Sequence, residues 1–362
     1  MSAFAGLPEQ PRALALLESA IADPAHAYLL SGPSGSGKRR YADRFAAALL
    51  GCDPHRIESR THPDLFVLEP EGQGILIEGA RRLRRDLHLR PFEAARRIYL
   101  ILDAHLLRDE SANALLKSLE EPPEYGVFVL VSDHAERMLP TIRSRLQAVE
   151  FRRFPTAALE AATGDAVAAR AAMGSLDRAF ALANDPAAAK RRRSYLELAR
   201  AACTDEGFDP SAACAGVLAA SGERAKAEAG AVDRERERRL ESVDDPKDAR
   251  ALRKRYDERA KREARRAEWD ELRLAVDTIG LWYHDMLAAA LGADEAMVNL
   301  DMAGGLSVAT SSGGVGHAQR ALDVVADVRR SLELNVHPGL AMEALFHRLV
   351  QAREPALQGV AG

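Results

Sequence analysis

The chain of 362 residues is poor in cysteine and in aromatic side chains, and it contains no long apolar run. Its three cysteines, Cys52, Cys203 and Cys214, form no C-x-x-C pair, which is typical of reduced thiols and gives no disulfide framework. No stretch has the length of a membrane-spanning helix, and the N-terminus lacks the basic-then-apolar pattern of a signal peptide. We therefore expect a cytoplasmic protein without a membrane partner.

Metal ligands and an excess of one charge are also missing. Cys52, His55 and His62 lie close together in the sequence, but a structural zinc site needs four ligands, usually with a pair of closely spaced cysteines. The net charge is −4, whereas a domain that binds nucleic acid by itself is usually basic. We expect no zinc, and we expect contact with DNA only through a local patch or through partner subunits.

The feature that the sequence does have is a phosphate-binding loop between a predicted strand at 27–31 and a predicted helix at 38–50. The loop consists of Gly32, Pro33, Ser34, Gly35, Ser36, Gly37 and Lys38. Glycines in such a loop let backbone N–H groups surround phosphate oxygens at a helix N-terminus. The pattern predicts a nucleotide site for ATP or ADP.

Two groups needed for hydrolysis are replaced around this loop, while a third, an acidic residue, is present. Arg39 occupies the position of the Ser or Thr that ligates Mg²⁺, and a guanidinium has no acceptor atom for a cation. Asp103 ends a predicted strand at 97–103 and provides the carboxylate of a magnesium site. Ala104 follows it where a hydrolytic site has Glu, and His105 lies one residue out of register. We expect weak or no Mg²⁺ binding and no autonomous hydrolysis, while an empty, an ADP-bound and an ATP-bound loop all remain open.

The order of apolar runs predicts an α/β domain followed by helices. Strands are predicted at 27–31, 64–68, 97–103, 127–132 and 147–151, and helices near 9–22, 38–50, 78–88, 109–120 and 135–143. This alternation indicates a mostly parallel sheet over residues 1–152. Residues 153–186 are predicted to form a small helical module, and residues 187–362 to be helical except for a Gly- and Ser-rich loop at 302–317.

A charged block at 223–270 interrupts the helical part with 16 basic and 14 acidic residues. Its apolar positions recur at steps of three and four: Leu252, Tyr256, Ala260, Ala264 and Ala267. This pattern predicts a long solvated helix or hairpin with a narrow contact seam. The alternative is a phosphate-binding arm, whose candidate residues are Arg253, Lys254, Arg255, Arg259, Lys261, Arg262, Arg265 and Arg266.

Several phrases of the sequence resemble the δ′ (delta-prime) family of bacterial DNA polymerase III clamp-loader subunits, which are AAA+ proteins. The phrases are 26–38, 62–65, 87–92, 113–123 (NALLKSLEEPP), 141–145 (TIRSR) and 335–343. The resemblance implies an α/β AAA+ domain with a RecA-like parallel sheet over 1–152 and a helical lid over 153–186. It further implies an all-α collar domain for oligomerisation over 187–362, with 223–270 as an insertion.

The resemblance also implies a function. The expected partners are the γ/τ (gamma/tau) and δ (delta) subunits of a hetero-pentamer that loads the sliding clamp on primer–template DNA, as part of the DNA-directed DNA polymerase III holoenzyme. Arg145 of the Ser144-Arg145 pair would act in trans as an arginine finger at a neighbour's ATP site. Asp177 stands where the family places a nucleotide-contacting lid arginine, so together with Arg39 and Ala104 it implies a non-hydrolysing member.

Two alternatives to this function remain open. One is a γ/τ-like clamp-loader ATPase, and the other is an AAA+ scaffold outside replication. For Arg145 the alternative to a finger is an ion pair with an acidic residue on the rim of the same domain.

Overall fold

The computed structural model describes residues 2–8, 10–70, 74–241, 245–334 and 336–353, without the side chains of 248, 251, 255, 307–313 and 333. The chain divides into two compact units, Met1–Asn184 and Asp185–Gly362. No helix among the described residues is long and apolar enough to cross a membrane. Asn335, which begins the last phrase of the resemblance, lies outside the described residues.

The first unit is built on a five-stranded parallel sheet. Its strands are β1 (Ala27–Ser31), β2 (Leu65–Leu68), β3 (Arg97–Ile101), β4 (Gly126–Ser132) and β5 (Gln147–Glu150). They lie in the order β2-β3-β4-β1-β5, and each pair is parallel. β3 and β4 are buried along their whole length because helices cover both faces of the sheet. The predicted strands are confirmed to within two residues at each end.

Two apolar cores flank this sheet. The helices are α1 (Pro11–Ala22), α2 (Lys38–Leu50), α3 (Pro54–Glu58), α4 (Ile77–Asp86), α5 (Asp109–Glu120) and α6 (Pro140–Arg143). Leu30 and Phe45 belong to one core, and Leu115 and Phe128 to the other. The helix predicted at 135–143 is instead a 3₁₀ turn at Ala135–Arg137 followed by α6, because Pro140 lacks an N–H and can only start a helix.

A small helical module completes the first unit. It contains α7 (Thr156–Thr163), α8 (Ala166–Ala171) and α9 (Leu176–Asn184). Phe154, Leu159 and Leu176 form its core. We call this module, residues 153–184, the lid.

The second unit is helical throughout its described part. It contains α10 (Pro186–Thr204), α11 (Pro210–Leu240), α12 (Pro246–Ala290), α13 (Ala303–Glu333) and α14 (Pro338–Gln351), with 3₁₀ turns at Asp294–Ala296 and Leu300–Met302. Asp185, Asp209 and Asp245 cap the starts of α10, α11 and α12, each directly before a proline at the first helical position. Trp282 and Phe346 lie in the centre of the core.

The charged block forms the end of a helical hairpin made by α11 and α12. Val232 on α11 packs against Tyr256 and Ala260 on α12, and the block contributes little other apolar surface. The prediction of a solvated hairpin with a narrow seam is therefore confirmed.

The loop predicted at 302–317 is wrong, because these residues belong to the turn at Leu300–Met302 and to α13. The helix has one non-helical residue, Gly314, with φ 57° and ψ −163°. Leu306 and His317 on either side are buried, so packing against the core overrides the low helix propensity of glycine and serine.

Candidate nucleotide site

The phosphate-binding loop lies between β1 and α2, as predicted, and turns sharply at its glycines. Gly37 caps α2 in a left-handed conformation with φ 80°. Gly32 has φ 151°, and a β-carbon there would come within 2.3 Å of the Phe151 carbonyl oxygen. Only glycine fits this approach of the loop to the segment that follows β5.

Lys38, the residue that would bind phosphate, is buried and already has partners. Its Nζ donates to the Pro33 carbonyl oxygen at 2.8 Å and lies 2.5 Å from Oδ1 of Asp133. Ser36 Oγ lies 3.5 Å away. Asp133, which follows β4, therefore provides a negative charge from the same chain that neutralises the ammonium group.

Arg39 and Asp103, the two residues predicted for the metal position, bind each other. Arg39 Nη2 lies 2.6 Å from Asp103 Oδ2. Asp103 follows β3 with a left-handed backbone (φ 50°), and its side chain is 22% exposed. The carboxylate that would hold Mg²⁺ is thus occupied by a guanidinium of the same chain.

Neither of the two residues after Asp103 takes the place of the missing Glu. Ala104 is buried and has no titratable group. His105 Nδ1 lies 3.3 Å from Ser132 Oγ, and its ring meets the edge of the His134 ring at 5.2 Å. Burial lowers the pKa of His105 and so makes its imidazole a weaker base. Its position beside Ser132 and His134 indicates a structural role.

The lid lies directly on the phosphate-binding loop. The backbone N–H of Leu176 donates to the Gly35 carbonyl oxygen at 2.8 Å. A β-carbon added to Gly35, whose φ is 77°, would come within 2.1 Å of Ser175 Oγ. Ser175 thus packs against the backbone that would surround a phosphate. The sequence analysis did not predict this contact.

A salt bridge connects the lid to α2. Arg40 Nε lies 2.8 Å from Asp177 Oδ1, and the Arg40 guanidinium lies 5.5 Å from the centre of the Phe180 ring. The sequence placed Asp177 as an acid facing a triphosphate, but the structure places it beside Arg40. Asp133 was also missed, although an acidic residue directly after the predicted strand at 127–132 was a signal for it.

Arg145 lies at the edge formed by α5 and α6. Its Nη1 donates to the Thr141 carbonyl oxygen at 2.6 Å, and its Nη2 donates to the Glu120 carboxylate. One third of the side chain is exposed. The ion pair considered as the alternative to a finger is therefore present in the single chain.

Two further phrases of the resemblance meet at a buried carboxylate. Asp64 accepts hydrogen bonds from the backbone N–H groups of Phe92 at 2.5 Å, Glu93 at 2.8 Å and Ala94 at 2.9 Å. Burial opposes ionisation of Asp64, but these bonds and Arg97 outweigh it and lower the pKa. The phrases at 62–65 and 87–92 thus serve to fix a loop.

Within the described ranges, no group of three or more His, Cys, Asp or Glu side chains is placed to hold a metal ion. Cys52 is a free, half-buried thiol.

The parallel sheet, the phosphate-binding loop and the helical lid define the first unit as an AAA+ fold. A crystal structure of a DNA polymerase III gamma subunit-related protein from Thermotoga maritima matches 95% of this chain and 100% of its own, with a TM-score of 0.52 and 18% identity. At this identity the match supports the fold alone. The predicted fold class, with an α/β AAA+ domain before a helical C-terminal part, is confirmed.

The sequence comparisons show which proteins the first unit is similar to. The model of the family "DNA polymerase III, delta subunit" matches residues 9–155. DNA polymerase III subunit delta′ of Pseudomonas aeruginosa is 41% identical over 138 residues, which are 34% of this chain and 42% of that protein. The delta′ subunit of Bacillus subtilis is 34% identical over 164 residues, 42% of this chain and 50% of that protein. The predicted resemblance to clamp-loader δ′ subunits is confirmed for this segment, residues 9–155.

Subunits of the gamma/tau kind are also similar to part of this chain. That of Mycobacterium tuberculosis H37Rv is 33% identical over 150 residues, 38% of this chain and 26% of that protein. The chain thus spans half or less of the length of these curated relatives.

Proposed function

We propose that this chain is a non-hydrolysing, δ′-type subunit of a bacterial clamp loader. It acts in the cytoplasm with γ/τ and δ subunits in a hetero-pentamer that places the sliding clamp on primer–template DNA. The family match over residues 9–155 supports the clamp-loader role. The observation that carries the non-hydrolysing role is the ion pair between Arg39 and Asp103, at 2.6 Å.

This ion pair opposes magnesium binding in two ways. It uses the carboxylate oxygen that a hard cation requires, and it places a positive charge beside the metal position. Two unit charges 4 Å apart interact by about 4 kcal/mol at an effective dielectric constant of about 20, before solvent screening, and Mg²⁺ carries two charges. A nucleotide, ATP or ADP, would be held by the loop's N–H groups with little help from the metal.

The water-activating step also lacks a residue. Ala104 replaces the Glu that would orient and deprotonate the attacking water, and His105 lies one residue out of register, with its Nδ1 3.3 Å from Ser132 Oγ. Asp177 is paired with Arg40, so the lid supplies no acid or base at the loop. The chain therefore contributes binding and shape rather than turnover.

The proposal includes a role for Arg145 in a neighbouring subunit. An exposed ion pair such as that with Glu120 contributes about 0–1 kcal/mol, so a partner's γ-phosphate can replace Glu120 at little cost. An arginine finger contributes about 10³–10⁵ in rate in well-studied phosphoryl-transfer enzymes. The helical second unit would provide the collar for assembly.

ATPase measurements on the purified chain, and on a loader reconstituted with γ/τ and δ subunits, test this proposal. We expect no turnover above background from the chain alone, and clamp- and DNA-stimulated turnover from the complex. A kcat within tenfold of a γ/τ subunit measured in parallel would favour a γ/τ-like ATPase. Failure to assemble with any clamp-loader subunit would favour a scaffold outside replication.

A further inference from the structure

The outer face of α12 carries a row of exposed basic side chains, which we call the basic stripe: Lys247, Arg250, Lys254, Lys261 and Arg265. Their spacing of three, four, seven and four residues places them on one face of the helix. All five are exposed. At 1.5 Å per residue the stripe is about 27 Å long.

The opposite face of the same helix is the one that packs in the hairpin. Tyr256, Ala260 and Ala267 are buried, and the first two contact Val232 of α11. The basic stripe therefore points away from the hairpin seam.

Two other basic residues of this segment, Arg259 and Arg266, have acidic partners in the second unit. Arg259 lies 3.0 Å from Glu235, and Arg266 lies 3.7 Å from Asp270 on the same helix. These arginines were among the candidates for a phosphate-binding arm, but their charge is compensated. From that set of candidates, Lys254, Lys261 and Arg265 belong to the basic stripe. Lys247 and Arg250 belong to the stripe but were not among the candidates.

Among the described side chains, acidic residues lie beside the stripe at its middle and near its end, where Glu268 follows Arg265 by three residues. Asp257 is bound by Arg236 of α11, while Glu258 is exposed between Lys254 and Lys261. Between 247 and 266 the sequence has ten basic and four acidic residues, although the chain as a whole has a net charge of −4. The hairpin thus carries a local positive charge on an otherwise acidic protein.

We propose that the basic stripe binds the phosphate backbone of duplex DNA without reading its sequence. Duplex DNA carries one negative charge per about 1.7 Å of its axis, so a stripe of this length can contact several phosphates. The stripe contains no apolar or aromatic side chain, whereas the energetic centre of a protein–protein interface usually does. Long flexible lysines and arginines on one helix face suit phosphate contacts and offer little for base recognition.

This proposal does not depend on the clamp-loader role, because it requires only the hairpin of the second unit. Fluorescence anisotropy of a labelled 30-bp duplex with the full-length chain, between about 50 and 200 mM salt, tests it. The stripe variant carries Lys247→Gln, Arg250→Gln, Lys254→Gln, Lys261→Gln and Arg265→Gln. The control removes three lysines and two arginines that are exposed elsewhere, Lys117→Gln, Lys190→Gln, Lys226→Gln, Arg12→Gln and Arg330→Gln, so its net charge is the same.

We expect the slope of log K against log salt to fall by about 0.9 for each phosphate that a variant no longer binds, thus by up to about 4 to 5 in the stripe variant. The control should keep most of the wild-type slope. The pair Lys254→Gln and Lys261→Gln alone should lower the slope by about 2, which keeps the test available if the fivefold variant folds poorly. Circular dichroism monitors the fold of each variant.

Three results would overturn the proposal. The first is an equal fall in affinity for the stripe variant and the control, which would mean that only net charge matters. The second is no binding of the wild type to duplex DNA at about 50 mM salt. The third is binding of poly-glutamate to the stripe at concentrations where the duplex does not bind, which would identify an acidic protein as its partner.

Discussion

Ser175 of the lid fills the space where a side chain at Gly35 of the phosphate-binding loop would lie. The gap between a β-carbon at Gly35 and Ser175 Oγ would be only 2.1 Å. We therefore predict that Gly35→Ala destabilises the first unit by about 2–5 kcal/mol, through left-handed strain of about 1–2 kcal/mol and overpacking of about 1–3 kcal/mol. Urea unfolding followed by circular dichroism measures this change in the free energy of unfolding.

The matched control for this prediction is Gly51→Ala. Gly51 has a similar left-handed backbone, with φ 63°, but a β-carbon there meets nothing within 4 Å. It should therefore show the backbone strain without the overpacking. Ser175→Gly should restore part of the stability that Gly35→Ala loses. Equal destabilisation by Gly35→Ala and Gly51→Ala would mean that the lid moves away from the added methyl group without an energetic cost.

Replacing Arg39 should make nucleotide binding depend on magnesium. In Arg39→Thr the Asp103 carboxylate loses the Arg39 guanidinium and gains a neighbouring hydroxyl. A carboxylate and a hydroxyl are the two protein ligands of a magnesium site of this kind. We expect the ATP affinity of the variant to be at least about tenfold higher with Mg²⁺ than with EDTA, or about 1.4 kcal/mol, while the wild type shows a ratio near one. Isothermal titration calorimetry measures both.

Arg44→Thr is the control, because Arg44 lies on the same helix about one turn further along. It should behave like the wild type. A tenfold magnesium effect in the wild type itself would contradict the role given to the Arg39–Asp103 pair.

Arg145→Ala should lower the clamp- and DNA-stimulated ATPase of the reconstituted loader while leaving assembly intact. The guanidinium lies at the rim of the first unit in an exposed ion pair, so we expect the fold to be retained. The effect should be partial, since only the one neighbouring site lacks its arginine, and Arg145→Lys should rescue it incompletely because an ammonium lacks the planar fork. Glu120→Gln removes the charged partner of Arg145 and should keep the full ATPase activity of the loader. A wild-type ATPase rate in Arg145→Ala would show that the only role of Arg145 is the ion pair with Glu120.

The stability of the second unit should fall with pH between about 6.5 and 4 because of His317. Burial lowers the pKa of His317 to about 4, from an ordinary value near 6.5. The folded state therefore keeps the imidazole neutral while the unfolded chain takes up a proton, so stability is complete above pH 6.5 and falls as the pH approaches 4. One group shifted this far accounts for about 3 kcal/mol.

Trp269 and Trp282 are the two tryptophans of the chain and both lie on α12, so their fluorescence during urea unfolding reports on the second unit. His317→Gln should flatten the pH dependence over this range relative to the wild type. His347→Gln, at an exposed histidine of α14, should run parallel to the wild type. Equal slopes in the wild type and in His317→Gln would contradict the prediction.

Local patterns were sufficient to predict the strands of the first unit and the hairpin. A buried strand such as β3 is a continuous apolar run, and the seam residues Tyr256 and Ala260 recur at helical spacing, so each signal lies within one segment. The helical identity of 303–317 could not be predicted in this way, because it comes from packing of Leu306 and His317 against distant helices.

The composition of the nucleotide site was predictable, but its internal pairing was not. The sequence showed that Arg39 and Ala104 replace catalytic groups, because motif positions are fixed along the chain. Three pairs form only in the folded chain: Arg39 with Asp103, Lys38 with Asp133, and Arg40 with Asp177. The partners are separated by 64, 95 and 137 positions in the sequence, so no local pattern shows that they meet. Charge compensation of this kind becomes visible only when the elements are in place.

Arg39 is a counter-ion that the protein carries with it. A diffusible metal ion occupies its site according to its concentration, whereas a tethered cation has a local concentration that dilution and chelators do not change. The electrostatic state beside Asp103 is therefore set when the chain folds, and it stays the same as the supply of free magnesium in the cell rises and falls.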